Sequence, residues 1–244
     1  MQYFMDTTGT VPDGVGFSHF GMLHLIWFAA FLVITVASCI WYRKMGDLGR
    51  SRWKKTVAVL LLVDELFKVV MLVAGGRYTP DYLPLHLCSI NIFLITFHAW
   101  KPNKTIGGYL YMVGIPGAMA ALLFPTWTSL PLGNFMHIHS FTVHILLALY
   151  PIVLAVAGEL QPRAKNIPKY LLLLVCMAVP IYLINLLLNT NFMFLMYAEP
   201  GNPLYLFEGL WGSHLYGFPV IISGVLLVMF VPIEIYHKIE KNKA

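Results

Sequence analysis

Seven long apolar stretches follow one another along the chain, separated by short polar segments. They cover residues 21–41, 56–74, 82–100, 107–124, 137–156, 170–188 and 213–236. A helix that crosses a membrane needs about 20 mostly apolar residues, because each residue adds ~1.5 Å along the helix axis. The pattern therefore predicts an all-α, polytopic membrane protein, a seven-transmembrane-helix bundle that forms a single transmembrane domain over residues 1–244.

Two segments depart from this regular pattern. The fourth stretch contains the string GIPG at residues 114–117, and Pro116 lacks the backbone N–H that a continuous helix needs. We therefore expect a kink in this helix. The connection over residues 189–211 is long and rich in aromatic residues, which suit the lipid–water interface. It either lies across the outer mouth of the bundle or forms an ordinary interfacial connection.

The composition points to the same class of protein. Of the 244 residues, 59% are hydrophobic and 11% are charged, whereas a soluble domain carries roughly 25% charged residues. The three cysteines, Cys39, Cys88 and Cys176, all lie inside apolar stretches, so they indicate no disulfide framework. Soluble, disordered and disulfide-stapled proteins are therefore excluded.

The basic residues are distributed unevenly between the loops. Fourteen of the sixteen Lys and Arg residues follow the first, third, fifth and seventh stretches, whereas Arg77 is the only one in the other loops and Lys68 lies within the second stretch. Lys and Arg accumulate in the cytoplasmic loops of membrane proteins. We therefore expect a multi-pass protein of the cytoplasmic membrane, with the N-terminus outside and the C-terminus in the cytoplasm. The net charge of +5 then reflects orientation and predicts no nucleic-acid partner.

The second stretch carries ionisable residues where lipid surrounds most helices. Asp64, Glu65 and Lys68 occur within five positions, and each such residue costs about 2.5–3.5 kcal/mol at the centre of a membrane helix. Lys68 can pair with Asp64, four residues away, or with Glu65, three residues away. Two interpretations stay open: a self-neutralised structural pair that faces the bundle interior, or a polar pocket lined by Lys68 or by one of the acids.

A thiol and an imidazole are predicted to lie at one depth. Counted from the ends of their stretches at ~1.5 Å per residue, Cys88, His144 and Lys68 all lie roughly 9–10 Å below the outer boundary. Asn91 follows Cys88 by three residues and lies on a similar helix face. A histidine that accepts the thiol proton makes cysteine a nucleophile for acyl transfer. The alternatives are a cysteine that packs as a small apolar residue and a histidine that makes a structural hydrogen bond.

The other polar residues raise two further possibilities. His86, His137, His139 and His214 could bind zinc from different helices, which would make the protein a zinc-dependent membrane hydrolase, although the chain contains no HExxH motif. The polar residues of the outer half could instead bind an anion or a proton in a transporter or ligand-binding membrane protein. The sequence contains no P-loop and no GxGxxG string, so it predicts no nucleotide cofactor.

Five strings of residues, taken in their order and spacing, resemble a known family. They are DELFK (64–68), LPLHLCSIN (83–91), GIPGAMAALLFP (114–125), HIHSFTVH (137–144) and NTNFMFLMYAEPGNP (189–203). Together they are similar to the YwaF-like bacterial integral membrane proteins and, more distantly, to the eukaryotic transmembrane protein 164 acyltransferases. The resemblance covers most of the chain.

This resemblance implies a membrane-embedded enzyme that moves a fatty acyl group between glycerophospholipids through a cysteine and a histidine. The family cysteine matches Cys88, and the family histidine best matches His144, seven residues before Pro151, with His137 as the rival base. We therefore expect a lipid acyltransferase or acyl-ester hydrolase whose partners are membrane phospholipid and lysophospholipid, with no cofactor and no metal. The supporting or substrate-binding residues that we expect are His86, Asn91, Lys68, Asp64, His137 and Asn185.

Overall fold

The structure is a computed structural model that describes residues 3–198 and 202–241. Within these residues it contains nine α-helices and no β-strand: α1 (Met22–Lys44), α2 (Asp47–Ala74), α3 (Leu87–Trp100), α4 (Lys104–Tyr109), α5 (Ile115–Leu123), α6 (Phe135–Val156), α7 (Ile167–Leu188), α8 (Pro203–Trp211) and α9 (Gly217–Lys241). A π-helical turn, Leu110–Gly114, joins α4 to α5, and 3-10 turns occur at Pro80–Tyr82, Ala164–Asn166, Phe192–Phe194 and His214–Tyr216. Residues 199–201 of the long predicted connection and residues 242–244 lie outside the described residues.

Six segments of the described chain are long and apolar enough to cross a membrane. They are Met22–Lys44, Pro80–Trp100, Lys104–Leu123, Phe135–Val156, Ala164–Leu188 and His214–Ile235. The 28 residues of α2 also extend far enough, about 42 Å at ~1.5 Å per residue, but this helix carries Asp64, Glu65 and Lys68 in its apolar part. The predicted all-α membrane-protein class is confirmed, whereas seven spanning helices and the orientation of the termini stay predictions.

The starts of α2 and α3 differ most from the positions that the sequence predicts. α2 begins at Asp47, well before residue 56, because the basic segment that precedes the apolar stretch continues the helix. α3 begins at Leu87, after the 3-10 turn Pro80–Tyr82, because Pro84 lacks a backbone N–H and disfavours helical geometry at the residue before it. This later start places Cys88 in the first turn of α3.

The two segments that depart from the regular pattern are more helical than the sequence predicts. The π-helical turn ends at Gly114, and Pro116 is the second residue of α5, whereas the kink at Pro116 stays a prediction. The long connection after α7 contains α8, which the sequence analysis did not predict. Asn202 caps this helix, because its side-chain oxygen accepts a hydrogen bond from the backbone N–H of Leu204 at 2.9 Å, and Pro203 occupies the first helical position.

α6 is the central helix of the fold. In its most apolar stretch, 67% of the residues are buried, against 6% for the segment His214–Ile235. It packs against α1, α2, α3 and α5, and the side chain of Asn134 caps its first turn by accepting hydrogen bonds from the backbone N–H groups of Met136 and His137. Polar residues on α6 therefore face other helices, whereas the outer helices expose apolar side chains in the manner of lipid-facing surfaces.

The N-terminal segment, residues 3–20, is fixed against the end of the bundle where α2 ends and α6 begins. The Asn134 side-chain N–H donates to the backbone oxygens of Tyr3 and Asp6 at 2.7 and 2.8 Å. Arg77, just after α2, forms an ion pair with Asp6 at 2.9 Å. The Phe17 ring packs edge-on against the His137 ring at 5.0 Å. This segment therefore forms a fixed cover over that end of the bundle.

The opposite end of the bundle is tied together by Glu159, just after α6. Tyr42 donates a hydrogen bond to one carboxylate oxygen at 2.8 Å, Lys54 donates to the other at 2.8 Å, and Arg50 lies 3.4 Å away. Burial raises the pKa of Glu159, but the hydrogen bonds from Lys54 and Tyr42 and the charges of Lys54 and Arg50 outweigh it, so the pKa lies below its usual value. The carboxylate therefore links α1, α2 and the loop after α6.

We predict that Glu159→Gln lowers the free energy of unfolding by roughly 1–2 kcal/mol at pH 7, because it removes a charge that three side chains bind. Because the pKa of Glu159 is lower in the folded protein than its ordinary value of 4.5, the charge stabilises the fold at pH values above 4.5. This contribution to stability is lost as the pH falls through the folded-state pKa. At pH 7 the wild type should exceed the variant in free energy of unfolding by the full amount, and this difference should disappear as the pH falls below 4.5. Thermal unfolding in detergent across this pH range measures it.

The matched control is Glu208→Gln, since Glu208 is exposed and makes no ion pair within the described part of the chain. It should change stability little at any pH. A Glu159→Gln deficit that stayed constant from neutral to acidic pH would contradict the role given to the Glu159 charge.

Candidate functional site

Most of the polar residues singled out in the sequence lie on three helices that contact one another. α2 packs against both α3 and α6, and α3 also contacts α6. α2 carries Asp64, Glu65 and Lys68, α3 carries Cys88 and Asn91, and α6 carries His139 and His144. The fold therefore brings these three helices together around one polar region inside the bundle, which we call the α2–α3–α6 junction.

His144 is held in one orientation by two neighbours. Its Nδ1 atom lies 2.6 Å from the backbone oxygen of Ser140. Because a carbonyl oxygen can only accept a hydrogen bond, Nδ1 carries the proton and Nε2 keeps its lone pair. Trp127 stacks on the ring, with centroids 5.3 Å apart and planes 11° apart. The imidazole is therefore oriented as a neutral proton acceptor at Nε2, and within the described residues no hydrogen bond occupies that atom.

Cys88 is a free thiol, partly exposed, in the first turn of α3. α3 packs against α2, which carries the charged residues Glu65 and Lys68. No hydrogen bond joins Cys88 to His144 in the described chain, so the predicted contact between thiol and imidazole is not formed in this state.

The α2 charges are divided between two partners. Lys68 donates a hydrogen bond to Glu65 at 2.5 Å, and both side chains are less than 10% exposed. Asp64 lies instead against α6, with one carboxylate oxygen 3.1 Å from His139 Nδ1, although neither atom makes a well-directed hydrogen bond. Of the two pairings that the sequence allowed, Lys68 forms the one with Glu65. His139 was not among the predicted catalytic or supporting residues, and its contact with Asp64 links α2 to the helix that carries His144.

His137, the rival base, has both ring nitrogens engaged. Nδ1 lies 2.9 Å from the backbone oxygen of Leu130, and Nε2 accepts a hydrogen bond from the Trp27 indole N–H at 3.0 Å. The side chain is completely buried. It therefore ties α1 to the start of α6, and it has no nitrogen left to take a proton from a thiol.

The three remaining predicted residues lie in different surroundings. Asn185 is 1% exposed, and its side chain holds the turn after α7 through hydrogen bonds with Thr190 and Phe192, so it organises that loop. The ring of Phe192 in turn packs edge-on against His86 at 5.1 Å, so part of the long connection covers the start of α3. Asn91 is buried on α3, and its side-chain oxygen has no hydrogen-bond partner among the described residues.

The predicted zinc site has no geometric basis in the described residues. No group of three or more His, Cys, Asp or Glu side chains among them is close enough to hold a metal ion. His137, one of the four proposed ligands, uses both nitrogens for Trp27 and Leu130.

Some features of this site could have been recognised in the sequence and others could not. The position of Pro84 indicates the later start of α3, and hence the location of Cys88 at a helix N-terminus. The i,i+4 spacing of Ser140 and His144 allows the bond that fixes the imidazole. Trp127 lies in a loop with no periodic pattern, so nothing in the sequence indicates that its ring stacks on His144.

We predict that Lys68→Met lowers the free energy of unfolding by about 3–5 kcal/mol, because it leaves the Glu65 carboxylate buried without its cation. The double variant Glu65→Gln/Lys68→Met should regain much of this loss, since no isolated charge remains. A double-mutant cycle of unfolding in detergent measures the coupling. Additive losses would show that the two side chains do not stabilise each other.

Comparison with known proteins gives one finding. The family model described as the TMEM164 family matches residues 19–231 of the chain, a range that includes every residue of the α2–α3–α6 junction. Neither the curated proteins nor the solved structures contain a match to this chain. The more specific resemblance to the YwaF-like bacterial proteins stays a prediction. Because the matched range is well over half of its length, the chain belongs to the TMEM164 family.

Proposed function

We propose that this protein is a membrane-embedded lipid acyltransferase or acyl-ester hydrolase in which Cys88 is the nucleophile and His144 is the general base. The observation that carries the proposal is the fixed orientation of the His144 ring and the identity of its protonated nitrogen. Its Nδ1 proton is bound by the Ser140 carbonyl, so that Nε2 is the free proton acceptor, on a helix that contacts the one carrying Cys88. The resemblance to the eukaryotic acyltransferases of this family supports the same chemistry.

In the first half-reaction, Cys88 Sγ attacks the carbonyl carbon of an acyl ester in a phospholipid while His144 Nε2 takes the thiol proton. The carbon–oxygen bond of the ester then breaks, and His144 returns the proton to the leaving alkoxide. The products are a lysophospholipid and an acyl thioester on Cys88. In the second half-reaction, a lysophospholipid hydroxyl or water attacks the thioester and the thiol is restored.

The neighbouring polar residues have supporting roles in this scheme. Lys68, paired with Glu65 on α2, lies on a helix that packs against the one carrying Cys88 and is the candidate cation of the site. Asn91, one helical turn after the nucleophile, is the side-chain amide that can donate to the developing oxyanion, a contribution of roughly 3–4 kcal/mol to the barrier. Asp64 has its role through His139, because their contact at 3.1 Å links α2 to α6, the helix that carries His144. His86 is the candidate for contact with the lipid headgroup.

The nucleophile and the base must come into hydrogen-bond contact for this chemistry. Catalytic hydrogen bonds are often long or misaligned before substrate binds and tighten in the Michaelis complex. Cys88 is partly exposed, whereas His144 is buried, with 9% of its surface exposed. The proposal therefore assigns formation of the Cys88–His144 contact to substrate binding.

The scheme also requires a defined orientation in the membrane. We infer that α2 crosses the membrane as a seventh helix, with its three ionisable residues turned towards α3 and α6. The N-terminus is then outside the cell and the C-terminus in the cytoplasm, in keeping with the loop charges. Cys88 and His144 lie in the outer half of the cytoplasmic membrane, where they meet phospholipid of the outer leaflet.

Reporter fusions test this orientation at α2. We predict that a chain fused after Gly46 to green fluorescent protein is fluorescent and that one fused there to alkaline phosphatase is inactive, because the reporter stays in the cytoplasm. Fusions after Arg77 should show the reverse, since α2 has then crossed the membrane. The same reporter active at both positions would mean that α2 does not span the membrane.

Catalysis is tested with the purified protein in nanodiscs that contain a phospholipid with a labelled acyl chain and an unlabelled lysophospholipid acceptor. We predict that Cys88→Ala reduces labelled product to background, because no thioester can form. His144→Ala should reduce turnover by about 10²–10⁴-fold, the usual contribution of a general base. Product formation is followed by mass spectrometry of extracted lipids.

The matched controls are Cys176→Ala, an exposed cysteine, and His19→Ala, an exposed histidine at the end of the N-terminal segment. Both should retain wild-type turnover, and circular dichroism should show the same helix content in all four variants. Full turnover in Cys88→Ala would remove this residue as the nucleophile and with it the proposed mechanism.

A second function, transport or ligand binding without a covalent step, is favoured by one observation. Asp64, Glu65, Lys68 and His139 form a buried group of ionisable side chains across α2 and α6, and such groups inside membrane proteins often bind protons or ions. Under this function, liposomes would take up a solute without any change in their lipids, and uptake would depend on Asp64 and His139 and be unaffected by Cys88→Ala.

A further inference from the structure

An open groove of about 410 Å³ lies on the surface of α2, near the end of the bundle that Glu159 ties together. We call it the α2 groove. Its lining residues are Arg52, Lys55, Thr56, Val59 and Leu60. Two of these side chains are cations, and among the described residues no acid lines the groove. The groove therefore presents positive charge directly beside an apolar surface.

The α2 groove lies on the face of the helix that points away from the bundle core. Arg50 and Lys54 lie on the inner face, where both form ion pairs with Glu159. At ~3.6 residues per turn, Arg52 and Val59 lie on the opposite side of the helix from these two residues. Both of them are exposed. The groove is therefore open to whatever surrounds the bundle.

The two cations of the groove have no carboxylate partner. Arg52 is exposed and makes no hydrogen bond or ion pair within the described part of the chain. The Lys55 ammonium lies 5.9 Å from the centre of the Trp100 ring, a cation–π contact that leaves N–H donors available to a ligand. The exposed Thr56 hydroxyl is a third donor. A guanidinium, an ammonium and a hydroxyl together are suited to bind a phosphate group.

An apolar surface continues from the groove along the same helix. The distance from Thr56 to Phe67 is about 16 Å along the helix axis, close to half of the ~30 Å hydrocarbon core of a membrane. Trp100, at the end of α3, is about half exposed beside Lys55, as is typical of aromatic residues at the lipid–water interface. A phosphate in the groove and an acyl chain along α2 therefore match the dimensions of one leaflet. The exposed apolar residues of this surface are Val59, Leu60, Val63, Leu66 and Phe67.

We propose that the α2 groove binds an anionic glycerophospholipid of the cytoplasmic leaflet, with its phosphate against Arg52 and Lys55 and an acyl chain along the apolar surface of α2. A headgroup with a net negative charge is favoured over a zwitterionic one, because the two basic side chains repel the cation that a zwitterionic headgroup carries. The lipid binds without any covalent step, on the outside of α2 and apart from the α2–α3–α6 junction. The choice of leaflet rests on the proposed orientation of α2, whereas binding itself depends on neither that orientation nor catalysis.

Native mass spectrometry of the purified protein in detergent measures this binding, because it counts the lipid molecules that stay bound. Phosphatidylglycerol and phosphatidylcholine with the same acyl chains are added in separate titrations, and we expect tighter binding of phosphatidylglycerol. Arg52→Gln and Lys55→Gln should each raise its apparent Kd about fivefold, and the double variant about 25-fold, the loss expected for one and for two basic residues beside an anionic lipid. Circular dichroism should show an unchanged helix content, since both side chains lie on the surface of the bundle.

The matched control is the double variant Lys165→Gln/Lys169→Gln, which removes the same charge from two exposed lysines at the start of α7. It should leave the apparent Kd unchanged. An equal loss of binding in this control would show a general attraction to the basic loops and would overturn the proposed site. Equal affinity for the two lipids, or an unchanged Kd in Arg52→Gln/Lys55→Gln, would also overturn it.

A soluble phosphate compound distinguishes the source of the ligand. Glycerol 3-phosphate carries the phosphate and the glycerol of the lipid without the acyl chains. We expect it to leave bound phosphatidylglycerol in place at equal concentration, because it makes no contact with the apolar surface of α2. Displacement at equal concentration would identify a site for a soluble phosphate and would contradict the assignment to a lipid.

Discussion

The burial of ionisable side chains inside an apolar helix bundle is the constraint on which the rest of this structure depends. A charge among apolar helices must be paired, or else its burial is unfavourable by several kcal/mol. Glu65 and Lys68 meet this requirement by pairing with each other on one face of α2. Asp64 lies 3.1 Å from His139 of α6, a contact that requires α2 to lie against α6, the helix that carries His144. The same requirement that fixes the packing therefore also sets the surroundings of the proposed base.

Most of the helices could be predicted from the sequence, because lengths of about 20 apolar residues leave few alternatives for a chain in a membrane. The details that escaped prediction come from single residues. Pro84 delays the start of α3 and so gives Cys88 its position at a helix N-terminus. The apolar pattern predicts a loop for the basic residues before residue 56, but they form the start of α2, because nothing in them breaks a helix. The helix α8, which Asn202 caps, lies in a connection for which the sequence pattern indicates only a membrane interface rich in aromatic residues.

The choice between His144 and His137 shows what the sequence could not settle. Both residues occur in the string HIHSFTVH, and spacing alone leaves each of them available as a base. The difference lies in their partners. Trp27, which is distant in the sequence, and Leu130, in the loop before α6, engage both nitrogens of His137, whereas Ser140 binds one nitrogen of His144 and leaves the other open. A long-range hydrogen bond such as that from Trp27 has no signature in a single sequence, and neither has the stacking of Trp127 on His144.

The most direct measurement is the identification of an acyl thioester on Cys88. The purified protein is incubated in nanodiscs with a phospholipid that carries a labelled acyl chain, in the absence of acceptor, and its peptides are then examined by mass spectrometry. The account predicts one labelled peptide that contains Cys88, with an acyl group that neutral hydroxylamine removes. An unmodified Cys88 peptide from protein that turns over the same phospholipid, or an acyl group on Cys39 or Cys176 instead, would contradict the central claim.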